Sequence, residues 1–185
     1  MFGEPAYRLV TAAEFLEFSF SDRRAELDRG VVRVLDGVTA RHAMVQGNLL
    51  AFLKHQLRGS DHVVFPSMMP IQTGPNCVRI ADLTISRRDE RLLNEDLDAL
   101  TTPTTIFELY AGNTTRTNLF VKLEEYKAIS SVEMIVFVDV TGERLRAIQR
   151  TGPNGWSDVS HEAPMDLILS SMDITIPHDE IFARD

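Results

Sequence analysis

Glu108 stands in the run Thr104-Thr105-Ile106-Phe107-Glu108-Leu109-Tyr110, among apolar and β-forming neighbours. Glutamate is almost never fully buried without a partner. An ionised carboxylate taken out of water alone either carries a large desolvation cost or takes up a proton. Asp82 poses the same problem in the run Cys77-Val78-Arg79-Ile80-Ala81-Asp82-Leu83-Thr84-Ile85. Two such acids repel when they meet, unless a metal ion or a lysine stands between them. Lys122, fourteen residues after Glu108, is a lysine available for that place. Cation binding at two paired acids is therefore the chemistry these residues point to.

The elements that must position them follow from periodicity. Alternation predicts one strand from Val78 to Ile85, with Val78, Ile80, Asp82 and Thr84 on one face. A second strand is predicted from Thr104 to Tyr110, with Ile106, Glu108 and Tyr110 on one face. If the two strands are neighbours, Asp82 and Glu108 look into the same cleft. After a loop at Ala111 to Thr115, helical spacing runs from about Arg116 to Ile129, with Leu119, Phe120, Leu123 and Tyr126 as its apolar positions. Lys122 and Tyr126 are four apart and lie one above the other. Met134 to Val140 is an apolar run of the kind found in a strand covered on both faces. Strand, helix, strand implies a right-handed crossover between parallel strands.

Upstream, Thr11 and Glu14 have the spacing of a capping box, ahead of Phe15, Leu16 and Phe18. Ala25–Leu27 and Val31–Leu35 read as a hairpin turned at Asp28-Arg29-Gly30. Met44, Val45, Leu49, Phe52, Leu53 and Leu57 form a helical stripe from about Ala40 to Leu57, with His42 near its start. Val63–Phe65 and Met69–Ile71 are short strands. Ser86 to Leu100 is read as a charged loop with a helical turn. Beyond Glu143 the chain is β-rich, with a turn at Gly152-Pro153-Asn154-Gly155 and a last strand near Ile174–Ile176.

With 185 residues the chain is expected to form a single domain, 1–185. Its 44% hydrophobic and 25% charged content is that of an ordinary globular protein. A net charge of −8 disfavours long-range attraction to nucleic acid or anionic membranes, without excluding a local basic cleft. Arg87, Arg88, Arg116, Lys122, Arg144, Arg146 and Arg150 are the candidates to line one. The single cysteine, Cys77, excludes an intrachain disulfide and fits a reducing cytoplasm. No secretory signal and no apolar run of membrane-spanning length is read in the sequence.

Glu26 in a hairpin (Ala25-Glu26-Leu27-Asp28-Arg29-Gly30), His42 opening a helix, Ala81-Asp82 in a strand, Glu108 ahead of a Thr-rich loop, then Lys122 and Tyr126 form an ordered set. In that order and spacing the chain resembles the PD-(D/E)XK nuclease superfamily, and more closely its Uma-type branch of bacterial proteins labelled restriction endonucleases. Met165-Asp166-Leu167 to Ile181-Phe182 is similar to that branch's closing strand and short helix, so the resemblance spans nearly the whole chain. It implies a mixed α/β (α+β) restriction-endonuclease-like core, a central mixed sheet flanked by helices with extra strands at both ends.

The resemblance also implies metal-assisted hydrolysis of phosphodiester bonds in DNA. Asp82, Glu108 and the Leu109 carbonyl would hold Mg²⁺ or Mn²⁺. Lys122 would orient the attacking water or neutralise charge on phosphate, and Glu26 would complete the shell. His42, Tyr126 and Arg116 would bind substrate, in a homodimer. Three positions depart from the family pattern. Ala111 stands where serine is usual, Asn118 where aspartate is usual, and Tyr110 where the superfamily's lysine stands two residues after the glutamate; the lysine moved onto the helix is Lys122. Ala111 and Asn118 keep a second reading open, a catalytically inactive nuclease-fold module that binds a partner or assembles an oligomer. The plainer alternative for Asp82 is a structural salt bridge to an arginine such as Arg79.

Overall fold

A computed structural model describes residues 8–18, 24–88, 98–111, 116–161 and 164–184 of the chain. Helix α1 (Ala12–Leu16) starts at the expected capping box: Thr11 accepts from the Glu14 amide while the Glu14 side chain accepts from the Thr11 amide. Strands β1 (Ala25–Asp28) and β2 (Val31–Val34) pair antiparallel as the expected hairpin. Arg29 and Gly30 take φ of 49° and 84°, the left-handed pair that a tight hairpin turn requires. A Cβ on Gly30 would lie 2.6 Å from Leu9 Cβ, so side-chain bulk is excluded there as well.

The helical stripe becomes α2 (Ala40–Gln56), which buries Val45, Leu49 and Leu53 while Met44 stays 38% exposed at its margin. Next come β3 (His62–Pro66) and β4 (Ile71–Gly74), the latter starting where the sequence reading from Met69 to Ile71 ended. The strand expected from Val78 to Ile85 is instead two strands, β5 (Cys77–Arg79) and β6 (Leu83–Arg87). They belong to different sheets. β5 pairs with β4 and β1, whereas β6 pairs with β3 and β7 (Pro103–Tyr110). The alternation that suggested one strand therefore spans a change of sheet, and Asp82 sits at the change. Of the segment Ser86 to Leu100, the first residues continue β6 and residues 89–97 lie outside the described part, as do residues 112–115 of the loop after Ala111.

Helix α3 (Arg116–Ala128) follows, then β8 (Met134–Asp139), β9 (Arg144–Arg150) and β10 (Trp156–His161). The chain closes with β11 (Leu167–Leu169), β12 (Ile174–Ile176) and α4 (His178–Phe182). The larger sheet has the order β10-β9-β8-β7-β6-β3 and the smaller one β2-β1-β5-β4. β7 and β8 are parallel, as the intervening helix implies, and the other pairs of the larger sheet are antiparallel.

Both faces of the larger sheet are covered. Phe107, Leu109, Val136 and Val138 pack with Val45, Leu49 and Leu53 of α2. Ile106, Ile135 and Phe137 pack with Leu123 and Tyr126 of α3. This two-sided burial is why β8 reads as a continuous apolar run. Phe120, expected among the buried positions of α3, is 62% exposed because it lies off the stripe through Leu119, Leu123 and Tyr126. Glu108 follows Ile106 by two in β7 and so faces α3, the helix that carries Lys122.

Candidate active site

Three carboxylates from three strand contexts lie near one another, with Glu108 and Glu26 beneath α3. Glu108 comes from β7, Glu26 from β1, and Asp82 from the crossing between β5 and β6; all three are at least nine-tenths buried. Lys122 stands between the two glutamates. Its Nζ donates to Glu108 Oε1 and Oε2, each at 3.1 Å, and lies 2.9 Å from Glu26 Oε1. One turn along α3, the Tyr126 hydroxyl donates to Glu108 Oε1 at 2.5 Å. The i, i+4 spacing read from the sequence therefore delivers both donors to one carboxylate.

Asp82 is held separately. Its Oδ2 accepts the Leu109 amide at 2.7 Å, and its Oδ1 lies 2.8 Å from His42 Nε2. Its backbone is fixed too: the Asp82 amide donates to the Phe107 carbonyl, and Gln46 Nε2 donates to the Asp82 carbonyl. The switch of sheets leaves Asp82 next to β7 and under the first turn of α2. That answers the plainer alternative, because Arg79 is not its partner. Arg79 Nε and Nη2 donate to the two oxygens of Glu125 at 2.7 and 2.6 Å, Nη1 donates to Glu26 at 3.3 Å, and Nη2 donates to Asp28 at 3.1 Å.

Electrostatics follow from this crowding. Burial pushes the Glu108 carboxyl up; Lys122 pulls it back, Asp82 and Glu26 push it further, and the Tyr126 hydroxyl lowers it, leaving it at about 7. Burial alone would lower Lys122, but the charges of Glu108 and Glu26 outweigh it and hold the ammonium above its usual range. Tyr126 is raised well above a normal phenol by burial and by the same two glutamates. Negative charge is thus in excess, and the protons of Lys122 and Tyr126 are the ones it retains.

Asp82, Glu108, Leu109, Lys122 and His42 border one cleft of about 290 Å³, with Asn118 and Ala111 at its margin. Among the described residues no three His, Cys, Asp or Glu side chains form a ready-made metal cage. Mg²⁺ does not require one, since it is commonly held by one or two carboxylates together with water and substrate phosphate. Asp82 and Glu108 supply an all-oxygen donor set in an over-negative cleft, and on that chemistry the residues fit a hard divalent cation.

Of the residues named from the sequence, Glu26, His42, Asp82, Glu108, Lys122 and Tyr126 are brought together. Tyr126 is fully buried behind Glu108 rather than on the cleft wall. Arg116 opens α3, and its side chain lies outside the described residues. Sequence reasoning did not find the Arg79–Glu125 fork, Gln46 or Arg24 as parts of this neighbourhood. For Arg79 a signal existed, the same one that drew attention to Asp82: a charged residue inside an apolar strand.

Glu108 lies within a strand of the mixed sheet, Asp82 at the change of sheet, and Lys122 on the helix that crosses between the parallel strands β7 and β8. The crystal structure of a protein from Anabaena variabilis, described as "a putative nuclease belonging to DUF820", matches with a TM-score of 0.78 over 94% of this chain and 98% of that one, at 12% identity. The family described as "Uma2: Putative restriction endonuclease" matches residues 12–175, and the chain belongs to that family. No curated protein matches it. Among the described residues no helix is long and apolar enough to cross a membrane.

Proposed function

We propose that this protein is a divalent-metal-dependent nuclease hydrolysing phosphodiester bonds of DNA, with Asp82 and Glu108 as metal ligands, joined by the Leu109 carbonyl, and Lys122 and Glu26 completing the catalytic set. The observation that carries this reading is that Lys122 bridges Glu108 and Glu26, while Lys122, Glu108 and Asp82 line one cleft. A bound Mg²⁺ or Mn²⁺ would supply Lewis-acid polarisation of the scissile phosphate and an activated water. Asp82 and Glu108 hold negative charge at fixed positions for that ion. Lys122 places a compact ammonium against Glu108, near enough to neutralise charge that develops on phosphate. Tyr126 orients Glu108 from behind, and His42 orients Asp82 while facing the cleft for substrate. Arg116, at the start of α3, is assigned to substrate phosphate. The chain acts as one domain, as a homodimer, in the cytoplasm. An exposed edge strand, β2, with Val31 and Val34 half exposed, supports pairing of two copies.

The test is incubation of plasmid and short single-stranded DNA with Mg²⁺ or Mn²⁺, alongside Asp82→Ala, Glu108→Ala and Lys122→Ala. Cleavage by the parent that all three substitutions abolish establishes the reading. Cleavage surviving Glu108→Ala removes this site from consideration. Absence of cleavage, together with no metal-induced rise in melting temperature, favours an inactive nuclease-fold module.

A further inference from the structure

Arg24 borders the acidic cleft that Asp82, Glu108 and Lys122 line. Its carbonyl accepts the Leu35 amide at 2.8 Å, which carries the β1–β2 ladder one residue further and holds Arg24 to the hairpin. By strand alternation Arg24, Glu26 and Asp28 lie on one face. Arg79 takes up Asp28 and Glu26, and Lys122 meets Glu26 as well. Arg24, the third charge of this row, is partly buried, and among the described residues its guanidinium meets neither a carboxylate nor a carbonyl. The other described arginines withdrawn from water all do. Arg41, Arg79 and Arg146 hold carboxylates at 2.8, 2.6 and 2.6 Å, and Arg150 holds the Val132 carbonyl at 2.7 Å.

Partial burial of a charge without an acceptor costs free energy. The cost is offset if an anion enters from outside. A guanidinium stays charged and presents its donors in a planar fork that matches the oxygens of a phosphate. Position narrows which phosphate suits it. Two residues along a strand span roughly 6.6 Å, comparable to the separation of neighbouring phosphates in an extended nucleic-acid strand. Lys122, where the scissile phosphate is read to lie, touches Glu26, and Arg24 is the next residue along that strand face.

We propose that Arg24 binds the backbone phosphate adjacent to the scissile one, as a substrate-binding residue outside the hydrolytic set. Its ligand is a phosphodiester monoanion, so the contact is indifferent to base sequence. This rests on the nuclease reading for the position of the scissile phosphate, but phosphate binding is measurable without cleavage.

The experiment measures binding of fluorescein-labelled oligothymidylate and of a labelled hairpin duplex to the full chain by anisotropy, in Ca²⁺, over a series of salt concentrations. The parent is compared with Arg24→Ala, Arg24→Lys and Arg58→Ala, Arg58 being an exposed arginine beyond the opposite end of α2. Cleavage of the better-bound nucleic acid in Mg²⁺ or Mn²⁺ is recorded in parallel. Arg24→Ala should weaken binding by about tenfold to a hundredfold, the scale of one charge-assisted contact. It should also flatten the slope of log affinity against log salt by about 0.7 for the single strand or about 0.9 for the duplex, which corresponds to one phosphate. Arg24→Lys should keep the slope and lose part of the affinity, since an ammonium lacks the fork. Arg58→Ala should change neither. Where cleavage occurs, Arg24→Ala should raise KM and leave kcat nearly unchanged, with no fall in melting temperature. The loss of slope supports the contact even if nothing is cleaved, in which case only the nuclease reading falls. An unchanged slope in Arg24→Ala, an equal loss in Arg58→Ala, or no binding by the parent overturns the contact. A fall in melting temperature overturns it too, because the guanidinium would then have a partner within the protein. The nuclease reading then stands or falls on cleavage alone.

Discussion

Arg79 and Lys122 are both cations withdrawn from water among carboxylates, and Glu26 touches each of them. Around Arg79 the accounts close. Its planar fork meets Glu125 bidentately and reaches Glu26 and Asp28, Thr73 adds a hydroxyl to Glu125, and the Arg79 side chain is 2% exposed. Around Lys122 they do not. A single ammonium serves Glu108 and Glu26 at the edge of an open cleft, with Asp82 nearby and held by His42 and the Leu109 amide. The same ingredients give a knot in one place and the proposed active site in the other. The difference lies in the donor: a guanidinium is a rigid multidentate fork that saturates acids, whereas an ammonium is a point charge on a flexible stem. The knot fixes β1, β5 and α3 relative to each other, and α3 carries Lys122.

The sharpest way to break this comparison is Arg79→Met. It leaves Glu26, Asp28 and Glu125 without their common partner, and a loss of about 3–5 kcal/mol in urea denaturation is expected, as for one half of a buried ion pair. A loss below about 1 kcal/mol, the value of an exposed pair, would mean that the knot does not lock the fold. Lys122→Met should divide the two regions from the other side. Nuclease turnover should fall by about a hundred- to a thousandfold, the scale of removing one electrostatic donor. Stability should suffer less than in Arg79→Met, because Glu108, already raised to about 7, takes up a proton instead of staying ionised and alone.

Tyr126→Phe removes one charged hydrogen bond to Glu108, at about 1.5–3 kcal/mol of stability, measured by thermal or urea unfolding. Such a cost with turnover retained would fit support from behind the carboxylate rather than contact with substrate. A pH series isolates Glu108 further. Its folded pKa lies above the unfolded value of a glutamate, so its contribution is fully present below about 4.5 and is lost as pH rises through about 7. Metal-free protein should therefore lose melting temperature across that window, and Glu108→Gln should flatten the profile. The smallest effect expected is a rise in melting temperature with Mg²⁺ or Mn²⁺, through binding to the folded state alone. Asp82→Ala should abolish that rise while Arg79 remains intact.

Much of the scaffold was legible because its signals are local. The capping box at Thr11 and Glu14, the turn at Arg29-Gly30, the stripe of α2 and the apolar run of β8 each depend on residues within a few positions of one another. Asp82 and Glu108 were legible because each charge sits in an apolar stretch, whereas Glu26, in a charged hairpin, and the role of Lys122 were reached through the family resemblance. Phe120 misled, since an apolar side chain adjacent to a buried stripe does not reveal on which side of the stripe's edge it falls. The break after Arg79 left no local trace either: alternation continues through Ile80 and Asp82 although the backbone leaves one sheet for another.

From the sequence alone it followed which acids could not stay unpartnered, and that Lys122 and Tyr126 would lie one above the other on α3, because the helix period is set by the backbone. Only the tertiary structure decided the pairings. Arg79 took Glu125 and Glu26, 46 and 53 residues away, while Asp82 took His42 and the Leu109 amide, 40 and 27 residues away. Every one of these charges had several complementary candidates along the chain. Which one it met was fixed by strand order, by the change of sheet at Asp82, and by the packing of α2 and α3 on opposite faces of the larger sheet.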